Sequence, residues 1–362
     1  MDLVLTHPMT SMSGYVAYLK YEVGTTIGQS KQDDLLNSYK ALGNYDQNYT
    51  GNVVVESFDS GVTSGSTKVT WTQNIVTGPI HVYDATGAEL KGTSLDYGAT
   101  IAADGTITVE TGVTAGDIRK VAYTYDNTII PQEKIPTVKA RMDKMDLLAK
   151  ARRVAIVFSQ FAAFEAKTDY GFDLAQGLIE QAQSVLNYNI DTEIINLLYT
   201  TAKEKTTENL TWDATQPIGV NMVDHYNSFS KTIEDAKQIV YRRCKRFAPN
   251  YMVCSSYVLP FLTFNNNWKA APTGVVNGPY YAGQLGSLKV YVSPELDGGD
   301  FFLGVNGSDL MTSAAVFAPY MPLVPTQLLG LPDGGQTQGW STLYDVKILN
   351  DNLLVYGKIV NY

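Results

Sequence analysis

The sequence predicts an α+β fold, and three stretches carry that prediction. Between Asp173 and Lys203, apolar residues recur at three- and four-residue steps, the period of a helix. From Asn52 to Asn127, short β-branched runs alternate with turn residues, the texture of antiparallel strands. From Asp224 to Phe247, Ile233, Ala236, Ile239, Val240 and Cys244 form a second helical stripe, which Pro249 stops.

The stretch from Asp173 to Lys203 is the longest that reads as one helix. Leu174, Leu178, Ala182, Val185, Leu186, Ile190, Ile194, Leu197 and Leu198 make its stripe. Asp173 has the side chain of an N-cap, and Gln176 three residues later completes the form of a capping box. At about 1.5 Å per residue the helix would run roughly 45 Å, as long as a small domain is wide. The same stripe also suits an ordinary buried core helix.

Composition sets the outer limits. The chain has 362 residues, 44% of them hydrophobic, enough to bury more than one domain's core. Its net charge of −9 argues against a broad basic surface that grips nucleic acid through phosphates. Cys244 and Cys254 are too few for a disulfide scaffold, and no h-region follows Met1, so a reducing, cytosolic origin is expected. The best apolar run, Val154 to Phe158, is far too short to span a membrane. The 24 tyrosines, with abundant Thr and Asn, point to extended, interface-rich β structure more than to a compact enzyme.

In chain order, residues 1–50 open with a β-prone run from His7 to Gly24, then a polar, weakly helical stretch from Lys31 to Leu42. This arm is expected to lie on its own chain or on a neighbour. From Asn52 to Asn127 the runs VVVES, KVTWTQNIV, PIHVYD, TITVE and KVAYTYD form a small antiparallel unit. Asp104-Gly105 marks a hairpin turn within it, since both residues tolerate positive φ. Charge is sparse there, so the unit suits contact, or a passive surface insert, rather than chemistry. Ile135 to Ala166 mixes signals: PTVKARMDKM alternates like an exposed strand, whereas LLAKARRVAIVFSQFAAFEAK suits a helix or a long strand with a break, and the preferred reading is a pair of long strands, around Val138 to Phe158, leading to the helix at Asp173.

Beyond the helix, Lys205 to Gln216 reads as a polar linker that includes Trp212. Tyr251 to Ser256, Leu288 to Val292 and Phe301 to Val305 are strands, with a short helix ending near Phe264. The prolines of Ala315 to Val324 confine that segment to a sheet edge or an irregular strand. Leu328 to Gly339 is a Gly/Pro loop, and the alternation after it predicts a closing hairpin that turns at Asn350-Asp351-Asn352.

The chain offers little chemistry. Asp224, His225 and Ser228 superficially suggest a hydrolase, but residues so close in sequence cannot make a relay of nucleophile, base and orienter. Cys244 and Cys254 lack the spacing of a zinc site and suit small core positions. There is no P-loop motif, and Gly283 to Gly286 lacks the third glycine of a dinucleotide fingerprint. Asp297-Gly298-Gly299-Asp300 reads as a surface turn rather than a cation site. We therefore expect no catalytic residue, no cofactor and no metal. The cluster Arg242, Arg243, Lys245 and Arg246 at the end of the second helix complements the helix dipole. Its sharper reading is an inter-subunit or polyanion contact.

Several segments carry a resemblance in a fixed order. They are HPMTSMSGYVAYLKYEVG (His7 to Gly24), YGFDLAQGLIEQAQSVLNYNIDTEIINLL (Tyr170 to Leu198) and NYMVCSS (Asn250 to Ser256), then AGQLGSLKVYVSPEL (Ala282 to Leu296), VFAPYMPLVP (Val316 to Pro325) and GWSTLYDV (Gly339 to Val346). With this order and spacing the chain resembles the major capsid proteins of tailed bacteriophages with the Hong Kong 97 fold, in particular those of contractile-tailed phages with large heads.

The resemblance implies a Hong Kong 97-like architecture. Residues 1–47 would be an N-terminal arm, and 48–150 an extended loop carrying the β-rich insertion at about 52–127. Residues 131–211 and 339–362 would form a peripheral domain with the spine helix at 173–203, and 212–338 an axial domain. Relatives carry a longer arm that a head protease trims, so a trimmed start, or a partial chain numbered from its first ordered residue, is expected here.

The implied function is structural. Copies would self-assemble into hexamers and pentamers of an icosahedral head shell around double-stranded phage DNA, made in the bacterial host cytoplasm and residing in the virion capsid. DNA would be enclosed without sequence-specific binding, with scaffold, portal, vertex and decoration proteins as further partners and no membrane. The chain would be no enzyme. An encapsulin-like bacterial compartment shell shares the fold and is the alternative, disfavoured by the insertion. A secreted adhesin or fibre protein would explain the β unit but not the long helix.

Overall fold

The computed structural model of the chain describes residues 3–28, 32–33, 49, 51–62, 81–83, 99–101, 107–109, 118–124, 128, 132–171, 173–244, 247–272, 274, 278–310, 312–331 and 334–362. Among the described residues, the elements up to Ser159 are mainly strands: β1 (Leu5–Thr6), β2 (Ser13–Val23), β3 (Val53–Val62), β4 (His81–Tyr83), β5 (Ala99–Ile101), β6 (Ile107–Val109), β7 (Ile118–Thr124), β8 (Val138–Leu148) and β9 (Lys150–Ser159). Helices α1 (Gln160–Asp169) and α2 (Leu174–Lys205) follow, then β10 (Thr211–Asp213), α3 (Met222–Cys244), β11 (Tyr251–Ser255) and α4 (Leu259–Thr263). The remainder is β12 (Trp268–Ala270), β13 (Tyr280–Leu285), β14 (Leu288–Ser293), β15 (Asp300–Gly304), β16 (Ala315–Pro325), β17 (Leu329–Gly330), β18 (Gly335–Ile348) and β19 (Leu354–Val360). The chain divides into two compact units, Met1–Tyr18 with Lys144–Tyr362, and Leu19–Asp143.

The first unit holds two sheets. One has the order β1-β16-β18-β17 with β9 also paired to β18, and the other runs β10-β19-β15-β11-β14-β13-β12. α2 serves both. Its Ala182 and Leu186 pack on Ile156, Phe158 and Trp340 of the smaller sheet. Ile194, Ile195, Leu198 and Ala202 enter the main core with α3 and the seven-stranded sheet. At 3.6 residues per turn these two sets lie roughly 150° apart around the helix. The apolar stripe therefore drifts as the helix passes from one sheet to the other. This corrects the single stripe expected from sequence: Val185 is 42% exposed, whereas Ile195, outside the predicted stripe, is fully buried.

Local signals at the start of α2 are largely realised. The Asp173 carboxylate accepts the Gln176 backbone N–H at 3.2 Å. The reciprocal half of the capping box is absent, because the Gln176 amide instead donates to Glu180 one turn on, at 3.1 Å. α3 spans 23 residues with one buried face, Phe229, Ile233, Ala236, Ile239, Val240, Arg243 and Cys244.

The second unit contains the antiparallel sheet β3-β7-β4 and the hairpin β5-β6. Ile101 pairs with Ile107, so the hairpin brackets Asp104-Gly105; those turn residues lie outside the described residues. Buried Tyr49 orders a corner of this unit. Its hydroxyl accepts the Thr25 N–H at 3.2 Å and lies 3.0 Å from the Thr137 carbonyl. The stretches predicted at Lys31 to Leu42 and Lys68 to Val76 lie outside the described residues, apart from residues 32–33.

Several expectations are corrected. β18 and β19 do not form a hairpin: β18 lies between β16, β17 and β9, while β19 sits between β10 and β15 of the other sheet. Leu354, Val355, Gly357 and Ile359 are buried, and a strand buried on both faces needs neighbours on both edges. A 3-10 turn at Asp351–Leu353 makes the crossover, with the Asn350 side chain accepting the Asn352 N–H at 3.1 Å. The Gly/Pro loop contains β17 and the first residues of β18. The linker before α3 contains β10, whose Trp212 is only 7% exposed, and the strand pair at Val138 to Phe158 is followed by α1, so the segment that could be helix or broken strand is strand to Ser159 and helix from Gln160. β16 is irregular as its prolines require, with register shifts between Pro319 and Met321 and between Met321 and Val324.

Candidate functional site

The basic end of α3 is split by burial. Arg243 is 8% exposed, and its guanidinium donates to the Glu208 carboxylate at 2.5 Å and to the Leu354 carbonyl at 3.2 Å. Partial burial pushes the Glu208 carboxyl up, but the hydrogen bond from its own backbone N–H and the Arg243 charge outweigh this and hold it below the usual carboxylate range. Arg243 is thus committed inside the chain. Arg242 remains exposed, with its Nε 3.4 Å from the Gln238 carbonyl. Lys245 and Arg246 lie outside the described residues.

Asp224, His225 and Ser228 do not assemble a relay. The His225 ring stacks on Trp212 with centroids 4.9 Å apart, and its Nε2 lies 3.1 Å from the Asp213 carbonyl. The Ser228 hydroxyl donates to the His225 carbonyl at 2.6 Å and accepts the Trp212 indole N–H at 3.0 Å. Both groups are occupied in holding Trp212, which also meets Phe229 and Phe261 edge-on or tilted.

The other candidate groups are likewise structural. Asp300 is buried at the start of β15, correcting the surface turn read from sequence, and accepts the Tyr199 hydroxyl at 2.5 Å. Burial pushes the Cys244 thiol up to about 11 and the Cys254 thiol up to about 12, so both stay protonated at neutral pH. Each S–H points at a backbone carbonyl 3.6 Å away. Among the described residues no group of three or more His, Cys, Asp or Glu could hold a metal ion, and no helix is long and apolar enough to cross a membrane.

A groove of about 460 Å³ lies between α2 and β9, lined by Arg152, Arg153, Asn189, Thr192, Glu193 and Asn196 with two apolar residues. Its Arg152 and Glu193 are committed to each other and to Tyr344. Arg152 meets Glu193 at 2.7 Å, and the Tyr344 hydroxyl donates to the same carboxylate at 2.5 Å. Sequence reasoning missed this triad, since its members come from a strand, a helix and a distant second strand with no local spacing to mark them. The groove presents neither a nucleophile nor a free base.

The molecule's distinguishing property is apolar surface left open. Met142 on β8 is 72% exposed, Phe161 and Phe164 on α1 are 75% and 70%, Tyr170 at the end of α1 is 84%, and Ile218 before α3 is 106%. Single exposed apolar side chains are ordinary, but Phe161 and Phe164, one turn apart on α1, form a patch of the kind that another molecule covers.

Among solved structures, the chain is similar to the capsid of Myoviridae phage XM1, with a TM-score of 0.47 and 8% identity over 99% of this chain and 90% of that one. A structure from Mycobacterium phage Bobi aligns with a TM-score of 0.45 and 10% identity, over 99% of this chain and 88% of that one. The SrpI encapsulin complex of Synechococcus elongatus aligns over 61% of this chain and 77% of its own, with a TM-score of 0.39 and 9% identity. No curated protein matches in sequence. The family model of the major capsid protein Gp23 matches residues 1–350, so the chain belongs to that family and is a structural protein of a phage head shell.

Proposed function

We propose that copies of this chain form hexamers and pentamers that close an icosahedral head around double-stranded phage DNA. The observation that carries this is the match to the major capsid protein Gp23 family over residues 1–350; the exposed Phe161 and Phe164 of α1 add a patch that a neighbouring copy can cover. Shells of this kind add many weak contacts, and symmetry supplies closure. The net charge of −9 suits a container, because a basic wall would bind the packaged DNA and hinder its movement. The chain acts without catalysis or a cofactor. It is assembled in the host cytoplasm with the help of scaffold and portal proteins. The encapsulin-like alternative gives way to the family match.

Within that reading, residues 131–211 and 339–362 form the peripheral domain, with α2 as its spine, and 212–338 the axial domain; strand pairing cuts across these bounds, because β19 belongs to the seven-stranded sheet and β16 and β17 pair with β18 in the other. Residues 48–150 form the extended loop with its β insertion, and 1–47 the arm. The exposed Arg242, with Lys245 and Arg246, contributes to contact between subunits, while Arg243 supports the fold.

Light scattering and negative-stain electron microscopy of the purified full chain test the proposal. Rings, tubes or closed shells are expected. A folded chain that stays monomeric at every concentration, even with candidate scaffold proteins present, would overturn it.

A further inference from the structure

We propose that a specific apolar face, formed by the start of α1 with the ends of β9 and the β17–β18 turn, is covered by a second copy of this chain in the shell. Strand register builds the face. Val157 pairs with Thr337, and Thr337 pairs with Leu329, so the three side chains stand in one row on one side of the sheet. Leu331, two residues on from Leu329, projects to the same side. The opposite side carries Ile156 and Phe158, which are packed under α2.

α1 continues the row. The Gln160 N–H donates to the Gly334 carbonyl at 3.0 Å, and a side chain at Gly334 would stand 3.4 Å from the Phe161 ring. Phe164 follows one turn later on the same side of the helix. Val157 is 67% exposed, Phe161 75%, Phe164 70%, Leu329 60% and Leu331 41%. None of these five side chains carries a charge, so they offer no ion pair to a phosphate backbone or to an acidic partner.

Two magnitudes identify the occupant. α1 is ten residues long, has no fully buried residue and packs on its own chain through Ala163 alone among its apolar side chains, whereas an isolated helix of that length is marginal in water. It therefore needs a cover. The five side chains leave on the order of 500 Å² of apolar surface open, given the 150–250 Å² of a phenylalanine ring and somewhat less for aliphatic groups. That is less than the roughly 800 Å² per partner of a stable pairwise complex. It matches a contact that is weak between two molecules and effective when repeated around a shell of identical chains, the assembly this family builds.

The inference rests on the shell function proposed above, and the test separates the two. A Phe161→Cys chain is assembled and its thiol labelled with a maleimide, in particles and in dissociated subunits. The natural Cys244 and Cys254 are buried and contribute little background. Labelling at least tenfold slower in particles is expected. In parallel, a Phe161→Ser/Phe164→Ser chain should keep its circular dichroism but lose at least tenfold in particle yield. Particles whose introduced thiol reacts as fast as in free subunits, or normal yield from the double variant, would overturn this contact alone. A wild-type chain that forms no particles under any condition would overturn the shell function and this contact with it.

Discussion

Tyr251 on β11 stands directly opposite Gly304 on β15, and its ring occupies the space a side chain at Gly304 would need. The pattern repeats one strand over, where Phe301 stands opposite Gly357 and covers it in the same way. Each pair replaces two facing side chains by one ring lying across the sheet, which brings Leu354 and its neighbours close.

Gly304→Ala is expected to cost about 1–3 kcal/mol, the usual penalty of overpacking a fixed core. A methyl there meets the Tyr251 ring and comes within 2.9 Å of Leu354 Cδ2. Urea unfolding of the unassembled subunit measures this, and an unchanged midpoint would mean the ring can step aside.

The Tyr251 hydroxyl is buried with no hydrogen-bond partner. Tyr251→Phe keeps the ring over Gly304 and removes an unpaired polar atom, so stability should hold or rise by about 1 kcal/mol. A clear loss in the same unfolding assay would reveal an unseen partner for the hydroxyl.

Adjacent arginines on α3 should behave differently. Arg243→Ala strands the Leu354 carbonyl and removes the partner of Glu208, at a cost of about 2 kcal/mol, since Glu208 is itself half-exposed and partly screened. Arg242→Ala should stay within about 0.5 kcal/mol in the isolated subunit. Paired thermal melts decide this, and equal losses would contradict the burial described here.

Stability should fall in alkali. Burial, then the hydrogen bond to Glu193, push the Tyr344 phenol up to about 12, and burial with Asp300 shifts Tyr199 and Tyr356 in the same direction. In the unfolded chain tyrosine titrates near pH 10. The folded state therefore holds these protons longer: the stabilisation is complete below pH 10 and is lost as pH rises from 10 to 12. Melting temperatures across that range should drop, with a shallower slope for Tyr344→Phe.

Much of the fold was legible because its signals are local. The Asp173 cap, the spacing within α3 and the apolar runs of β11, β14 and β15 each act over a few residues. Trp212 was misread as linker because its neighbours are polar, and only Phe229, Phe261 and His225, all later in the chain, bury it. Helix and strand stayed open over α1 because its apolar residues show no helical stripe: only Ala163 packs on the Ile156–Phe158 cluster, while Phe161 and Phe164 stay exposed.

By itself the sequence determined an α+β chain with a long capped helix, strand-rich flanks and no clustered chemistry, and its ordered motifs pointed to the capsid family. Hydrogen bonds and side-chain contacts three or four residues apart encode those features, so they survive without knowledge of the fold. Tertiary structure alone decided that α2 turns opposite faces to two sheets, that β18 and β19 part company, and that Arg243 is spent inside while Arg242 is not. Strand pairing and burial join residues more than a hundred positions apart, and an alternating strand reads the same whichever sheet receives it.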